Sequence, residues 1–224
     1  MAQDFSQIAS SLTSIASGFH SRGWVLGTSG NLSAVVTREP LCLAMSPSGF
    51  DKGALLPEQF LMIDENARSV GGLAATPSAE SLLHIRVVKE RGAGAVLHTH
   101  SIWSTMLSDL YADAGGLSIE GYEMLKGLEG VTTHEHCEWV PILENSQDMS
   151  VLAGRVSDVL HQYPEAHGFL LQRHGLYAWG AGLAQAKRHV EILEFLLETV
   201  GRTLLVKSGN KLAEVENGHS QNYR

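Results

Sequence analysis

His98-Thr-His100 closes an apolar run that begins at Ala93. In an extended chain, residues i and i+2 face the same side, so both imidazoles would converge on one point. Imidazole is the commonest transition-metal ligand among side chains, and such a pair offers two of the ligands an ion needs. A structural zinc site takes four protein ligands, usually with Cys, whereas a catalytic site takes about three and leaves a position open. The third ligand must come from elsewhere in the chain. His174, in Gln172-Arg-His-Gly175 between two expected strands, is well placed, because the Gly-containing turn would expose it at the sheet edge. His-x-His alone fits a pair of ordinary packed histidines equally well. A rival pair, His134-Glu-His136 beside Cys137, has the same spacing but lies in a polar stretch with no apolar strand to rigidify it.

Two turn-rich segments, Thr28-Ser-Gly-Asn31 and Ser46-Pro-Ser-Gly49, offer hydroxyls, a side-chain amide and free backbone N–H groups. Ser78-Ala-Glu80, at an expected helix start, adds further N–H groups and the favourable end of a dipole. Together they could hold a phosphate with little formal positive charge, helped by Lys52; taken singly, each also reads as ordinary turn or cap chemistry. Glu80 and Glu123 are the candidate acid/base carboxylates. Most glutamates are solvated surface groups, so composition alone singles out neither.

The elements that must position these groups follow from spacing. Phe5, Ile8, Leu12, Ile15 and Phe19 predict an opening amphipathic helix with Asp4 or Ser6 as N-cap and Gly23 as its stop. Residues 32–36, 41–45, 60–63, 93–100, 168–171 and 176–179 read as strands, and 66–72 as a loop. Helices are expected from Ser78 to Gly92, from Ser101, over 149–160 and over 183–206, with a frayed polar tail after Gly209. Residues 109–148 give no clear pattern. Helices separated by several short strands, without strict βα alternation, predict an α/β sandwich with a largely antiparallel sheet and no internal domain boundary.

Composition narrows the classes. The 224 residues carry 16 Lys and Arg against 24 Asp and Glu, a formal charge of −8, with 11 His and only 2 Cys. No basic cluster serves a nucleic-acid backbone. Two cysteines are too few for a disulfide framework, and no apolar run reaches the roughly 18 residues of a membrane span. The N-terminus carries Asp4 where a signal peptide would place Lys or Arg. A cytoplasmic protein that binds neither nucleic acid nor membrane is expected.

Taken together, the motifs resemble the class II aldolase/adducin-head family over about residues 5 to 205. Gly30-Asn-Leu-Ser33, Ser46-Pro-Ser-Gly49, Pro77-Ser-Ala-Glu80, Gly92-Ala-Gly-Ala-Val-Leu-His-Thr-His-Ser101 and Arg173-His-Gly-Leu-Tyr-Ala-Trp-Gly180 carry the likeness. The resemblance implies a three-layer α/β/α sandwich with a mainly antiparallel central sheet, forming a single domain over residues 1–224. It implies one Zn²⁺ per subunit on His98, His100 and His174, a substrate phosphate near Asn31, Ser48, Gly49 and Ser78, and a homotetramer with active sites near subunit boundaries. His₃ sites also accept iron, cobalt or nickel.

Glu123-Met-Leu-Lys-Gly127 and Pro141-Ile-Leu-Glu-Asn145 look like the dehydratase branch. There the implied reaction is metal-dependent loss of water from 5-methylthioribulose 1-phosphate in methionine salvage, with the glutamate matching Glu123 carrying the proton. In the aldolases of the family that work falls to the glutamate matching Glu80, and this chain carries both. A sugar-phosphate aldolase or epimerase of the fuculose or ribulose phosphate type is the alternative. A non-catalytic adducin-head-like module is a third reading, against which three convergent imidazoles count. A proton carrier works best with a pKa near neutrality, which predicts a partly desolvated Glu123. The residues that recognise the methylthio group, and the role of His134 and His136, are left open.

Overall fold

The computed structural model describes residues 4–71 and 76–220, with side chains through Gly209. Helix α1 (Phe5–Ser21) opens on Asp4, whose carboxylate accepts the Ser6 N–H at 3.0 Å, and it buries Ile8, Leu12, Ile15 and Phe19. Gly23, at φ +75°, turns the chain out of it. Then follow β1 (Asn31–Arg38), β2 (Leu41–Met45), β3 (Leu61–Asp64), β4 (Ser69–Val70), α2 (Ser81–Arg91), β5 (Ala95–Thr99), α3 (Ile102–Leu110) and β6 (Gly116–Glu120). The chain closes with β7 (Cys137–Leu143), α4 (Met149–Gln162), β8 (Gly168–Leu171), β9 (Gly175–Gly180) and α5 (Leu183–Ser220).

The nine strands form one sheet in the order β4-β3-β2-β1-β5-β9-β8-β7-β6. Neighbours run antiparallel except β7 and β8, which are parallel and are joined through α4. One apolar cluster packs α1, α3 and α5 against one face, with Leu12, Leu107 and Leu193 among its members. A second packs α2 and α4 against the other face, around Leu83, Val87, Leu152 and Val156. The sheet is thus the middle of three layers, and β5, β8 and β9 are buried along their whole length. Strands covered on both faces read as continuous apolar runs, which is why these were visible in the sequence.

Some boundaries differ from expectation. The helix expected from Ser78 starts at Ser81, because Ser78 to Glu80 form the turn that leads into it. The stretch 66–72 contains β4, and the last residue of that expected loop lies outside the described residues. Residues 109–148, unreadable as sequence, supply the edge strand β6, its neighbour β7 and a short 3-10 segment at Glu123–Gly127. Backbone helix continues past Gly209 to Ser220 where a frayed tail was expected, and the last four residues lie outside the described range.

Candidate active site

The central strands set the site's register. Asn31 of β1 pairs with His98 of β5, which pairs with Tyr177 of β9, so the three side chains form a row on the face toward α2 and α4. The Tyr177 ring stacks on His98 with centroids 3.8 Å apart and on Phe169 at 4.9 Å, backing the imidazole with two aromatic rings. His98 is fully buried, and its Nδ1 lies 2.9 Å from the Leu176 carbonyl. A carbonyl only accepts, so Nδ1 carries the proton and Nε2 is bare. Thr99 points the other way, to the buried Glu194 of α5, whose carboxyl is pushed up to about 7 by burial.

His100 lies just past the end of β5, its backbone N–H donating to Trp24 at 2.7 Å. His174 arrives from the β8–β9 turn, its carbonyl held by Thr105 Oγ1 at 3.0 Å. The three Nε2 atoms converge: 2.7 Å between His98 and His100, 3.1 Å between His100 and His174, and 3.4 Å between His98 and His174. Glu80 closes the group, with Oε1 3.2 Å from His174 Nε2 and Oε2 3.6 Å from His98 Nε2. Burial, then the neighbouring histidines, holds His98 well below the usual imidazole range; burial, with His174 and Lys52, brings His100 to about 4.

The bare Nε2 of His98 faces the Nε2 atoms of His100 and His174, and a cation is a partner that all three nitrogens could share. Nitrogens at roughly 2.0–2.1 Å from a tetrahedral ion stand about 3.3 Å apart, close to the spacing seen here. His98, His100, His174 and Glu80 form the group of ligand-type side chains among the described residues that could hold such an ion. The donor set fits.

A pocket of about 280 Å³ opens beside this cluster, lined by Asn31, Ser48 and Ser78 together with Thr28, Ser29 and Lys52. The two turns that supply the serines are tied together by a bridge between Pro47 and Pro77 and by Ser48 N–H to Thr76 O at 3.1 Å. Lys52 is 1% exposed, its ammonium held by the Thr28 and Phe50 carbonyls at 3.0 and 2.9 Å, and burial lowers it to about 8 against the pull of Asp51. Gly49, at φ +78°, turns the chain next to Ser48 and is not among the lining residues. A larger cavity of about 750 Å³ lies at the far end of β1, beside Arg38 and Gly182, and contains none of the candidate residues.

Glu123 is not brought to this cluster. It stands in the 3-10 segment, 73% exposed, paired with Lys126 at 2.7 Å and near His134 at 3.8 Å. Lys126 holds its carboxyl below the ordinary range, opposite to the desolvated, near-neutral glutamate expected. Among the described residues nothing covers it, because the 3-10 segment presents it to solvent. His134 and His136 do not converge either: His136 reaches Glu138 at 2.9 Å, and Glu138 is also held by His167 at 3.0 Å.

Sequence reading missed His84, Tyr177 and the contribution of Asn145 and Gln147 to the pocket. His84 is buried and touches Asn31. Its spacing from Glu80, one helical turn, was the available signal.

The family model described as Class II Aldolase and Adducin N-terminal domain matches residues 10–200. The chain is 43% identical over 187 residues to a methylthioribulose-1-phosphate dehydratase of Xanthomonas campestris pv. campestris (strain 8004), covering 83% of this chain and 84% of that one. It is 38% identical over 195 residues to the enzyme of the same name from Sorangium cellulosum (strain So ce56), covering 87% and 91%. Among solved structures, L-fuculose-1-phosphate aldolase from Thermus thermophilus superposes with a TM-score of 0.72 at 22% identity over 92% of this chain and 99% of that one, which shows a shared fold. The three-layer architecture, the matched model and these relatives agree, and the chain belongs to the class II aldolase and adducin N-terminal domain family.

Proposed function

We propose that this protein removes water from 5-methylthioribulose 1-phosphate to give 5-methylthio-2,3-dioxopentyl 1-phosphate, a step of methionine salvage. The observation that carries the reading is the convergence of three imidazole Nε2 atoms beside a polar pocket, in a chain 38–43% identical to two dehydratases of that name.

His98, His100 and His174 hold one divalent ion, zinc by the preference of a three-imidazole set with an open position. When bound, such an ion would supply Lewis-acid stabilisation of the negative charge that develops as the C3 proton is removed. Ser48, Ser78 and the turn at Gly49 take the phosphate through hydroxyl and N–H donors, with Lys52 supplying the charge and Asn31 bordering the phosphate while it holds Ser78. A carboxylate removes the C3 proton and returns it to the C4 hydroxyl, which departs as water; the enol left behind ketonises.

Glu123 is that carboxylate, acting in the site of a second copy. Its exposure supports this role: a proton carrier that no described residue of its own chain covers gains cover when another subunit seats over it. Exposed Ile102, Met106 and Leu110 line one face of α3 at four-residue spacing, an apolar stripe that supports assembly into a homotetramer. Glu80, held against the histidines within its own chain, orients the substrate hydroxyls. The metabolic role named for the relatives supports a cytoplasmic location, and no described helix is long and apolar enough to cross a membrane.

One observation favours a second reading. Glu80 sits among the histidines, where it would serve as the base of a sugar-phosphate aldolase or epimerase. The metal-replete protein should therefore be assayed on methylthioribulose 1-phosphate beside fuculose and ribulose 1-phosphates. Dehydration of the first without cleavage of the others is expected; C3–C4 cleavage of fuculose phosphate as the faster reaction would establish the aldolase reading instead.

A further inference from the structure

Strand β1 and helix α2 meet as a two-rung ladder. Asn31 and Ser33 are two apart on a strand and face one side, while Glu80 and His84 are four apart at the start of a helix and share one face. Asn31 Nδ2 meets Glu80 Oε2 at 2.5 Å, Ser33 Oγ meets His84 Nδ1 at 2.8 Å, and His84 Nε2 joins the rungs by its contact with Asn31 Oδ1. Asn31 Nδ2 also lies 3.1 Å from Ser78 Oγ. Asn31, Ser33 and His84 are all buried.

The protons along this chain have one consistent order. A carboxylate at neutral pH only accepts, so Asn31 must turn its NH₂ toward Glu80 and its carbonyl oxygen toward His84. That oxygen needs a donor, which places the imidazole proton on Nε2. Nδ1 is then bare and takes the Ser33 hydroxyl proton in preference to the longer 3.5 Å contact with the Val96 carbonyl. Burial brings His84 down to about 3, so the ring carries a single proton.

We propose that His84 is a positioning residue that locks the Asn31 amide so that both of its N–H bonds point at Glu80 and Ser78. Glu80 and Ser78 hold only the nitrogen end of the amide, and the His84 donor holds its oxygen end, so without that donor the buried oxygen is unpaired and the amide can swing off its two contacts. Glu80 would then lose the partner that keeps it beside His98 and His174. The consequence for turnover rests on the proposed dehydratase reading; the orientation of the amide does not.

Two substitutions separate orientation from packing. In His84→Gln the amide nitrogen lies as many bonds from the backbone as Nε2 and can still donate to Asn31. In His84→Asn it reaches only the position of Nδ1. With both variants folded and metal-loaded, H84Q should rescue turnover, while H84N should lose about 10- to 100-fold in kcat/KM, the scale of one hydrogen bond to a charged group. In an N31A background the difference between Gln and Asn at position 84 should vanish, which a packing role would not produce.

Nitrogen-15 imidazole spectra of the wild-type holoprotein should show His84 protonated at Nε2 and bare at Nδ1. A proton on Nδ1, equal loss in H84Q and H84N, or a gap that persists with N31A would each overturn the proposal. Should the wild type fail to dehydrate methylthioribulose 1-phosphate, the functional reading falls, while the spectra and the inorganic-phosphate affinities of the variants still decide the role of His84.

Discussion

His98 Nδ1 and the Leu176 carbonyl meet at 2.9 Å across the β5–β9 pair, and that contact commits the other ring nitrogen to face His100 and His174 without a proton. Backbone, not a flexible side chain, fixes the tautomer. The ligand face is therefore built in whether or not an ion is bound.

Substituting His174 by Ala should leave the fold intact, since its turn is held by backbone and by Thr105, but metal content should fall well below one ion per chain. Metal analysis of purified protein checks this. Chelation should abolish turnover and added divalent ion restore it, with retention weakening as pH falls because protons compete for the imidazoles.

Glu123→Gln should keep metal content and thermal stability while lowering kcat by about 10²- to 10⁴-fold, the range of a lost general acid or base. Exposure of this carboxylate adds a sharper test. Mixing inactive E123Q and H174A subunits should recover activity, because some sites would then combine intact histidines with an intact Glu123. No recovery on reassembly would place Glu123 outside the reaction or within its own subunit's site.

The buried Glu138 gives a pH signature remote from the histidine cluster. Burial pushes its carboxyl up, but hydrogen bonds from His167 and His136 outweigh this and the net shift is downward. For His167, burial lowers the pKa and Glu138 more than compensates, so the net shift is upward. The Glu138 contribution is present above its unfolded pKa and lost as pH falls through its depressed folded value. That of His167 is complete below its unfolded pKa and lost as pH rises through its raised folded value. Unfolding free energy should therefore gain most from this pair between about pH 4.5 and 6.5, the ordinary values of the two groups. Glu138→Ala should cost about 3–5 kcal/mol in that window, as expected for stripping one partner from a buried pair, measured by denaturant titration across pH.

Gly175 follows His174 as the first residue of β9. A Cβ there would sit 2.0 Å from the Thr99 carbonyl and 3.1 Å from the His98 ring. Gly175→Ala should push the strands apart at the ligand positions and reduce metal occupancy more than its loss of thermal stability would suggest. Equal metal content in the variant and wild type would show that the strands accommodate the methyl group.

Much of this was legible in the sequence because strands buried on both faces carry unbroken apolar runs and because ligand spacing on a strand has a simple period. His98 and His100 announced themselves in that way, and the Gly beside His174 marked its turn. The edge strand β6 and its neighbour β7 were not legible: Ser118, Glu120 and Cys137 are exposed, so one face has little apolar demand to reveal it. His84 was hidden because it occupies a helix face whose neighbours are apolar, and its partners lie 51 and 53 residues away in sequence. Glu123 was legible as a motif but not as a place, since its described surroundings within one chain are solvent, Lys126 and His134.

The row formed by Asn31, His98 and Tyr177 joins strands that are neighbours in space and remote along the chain, and His174 lies 76 residues beyond His98. Closing such distant segments carries an entropic cost, so the three imidazoles meet only where the β1-β5-β9 register is complete. An ion that needs all three ligands then has little hold on the unfolded ensemble and binds the finished sheet. By mass action such an ion would add to the stability of the native state, so metal-loaded protein should unfold at a higher temperature than the stripped protein, whose fold is already complete.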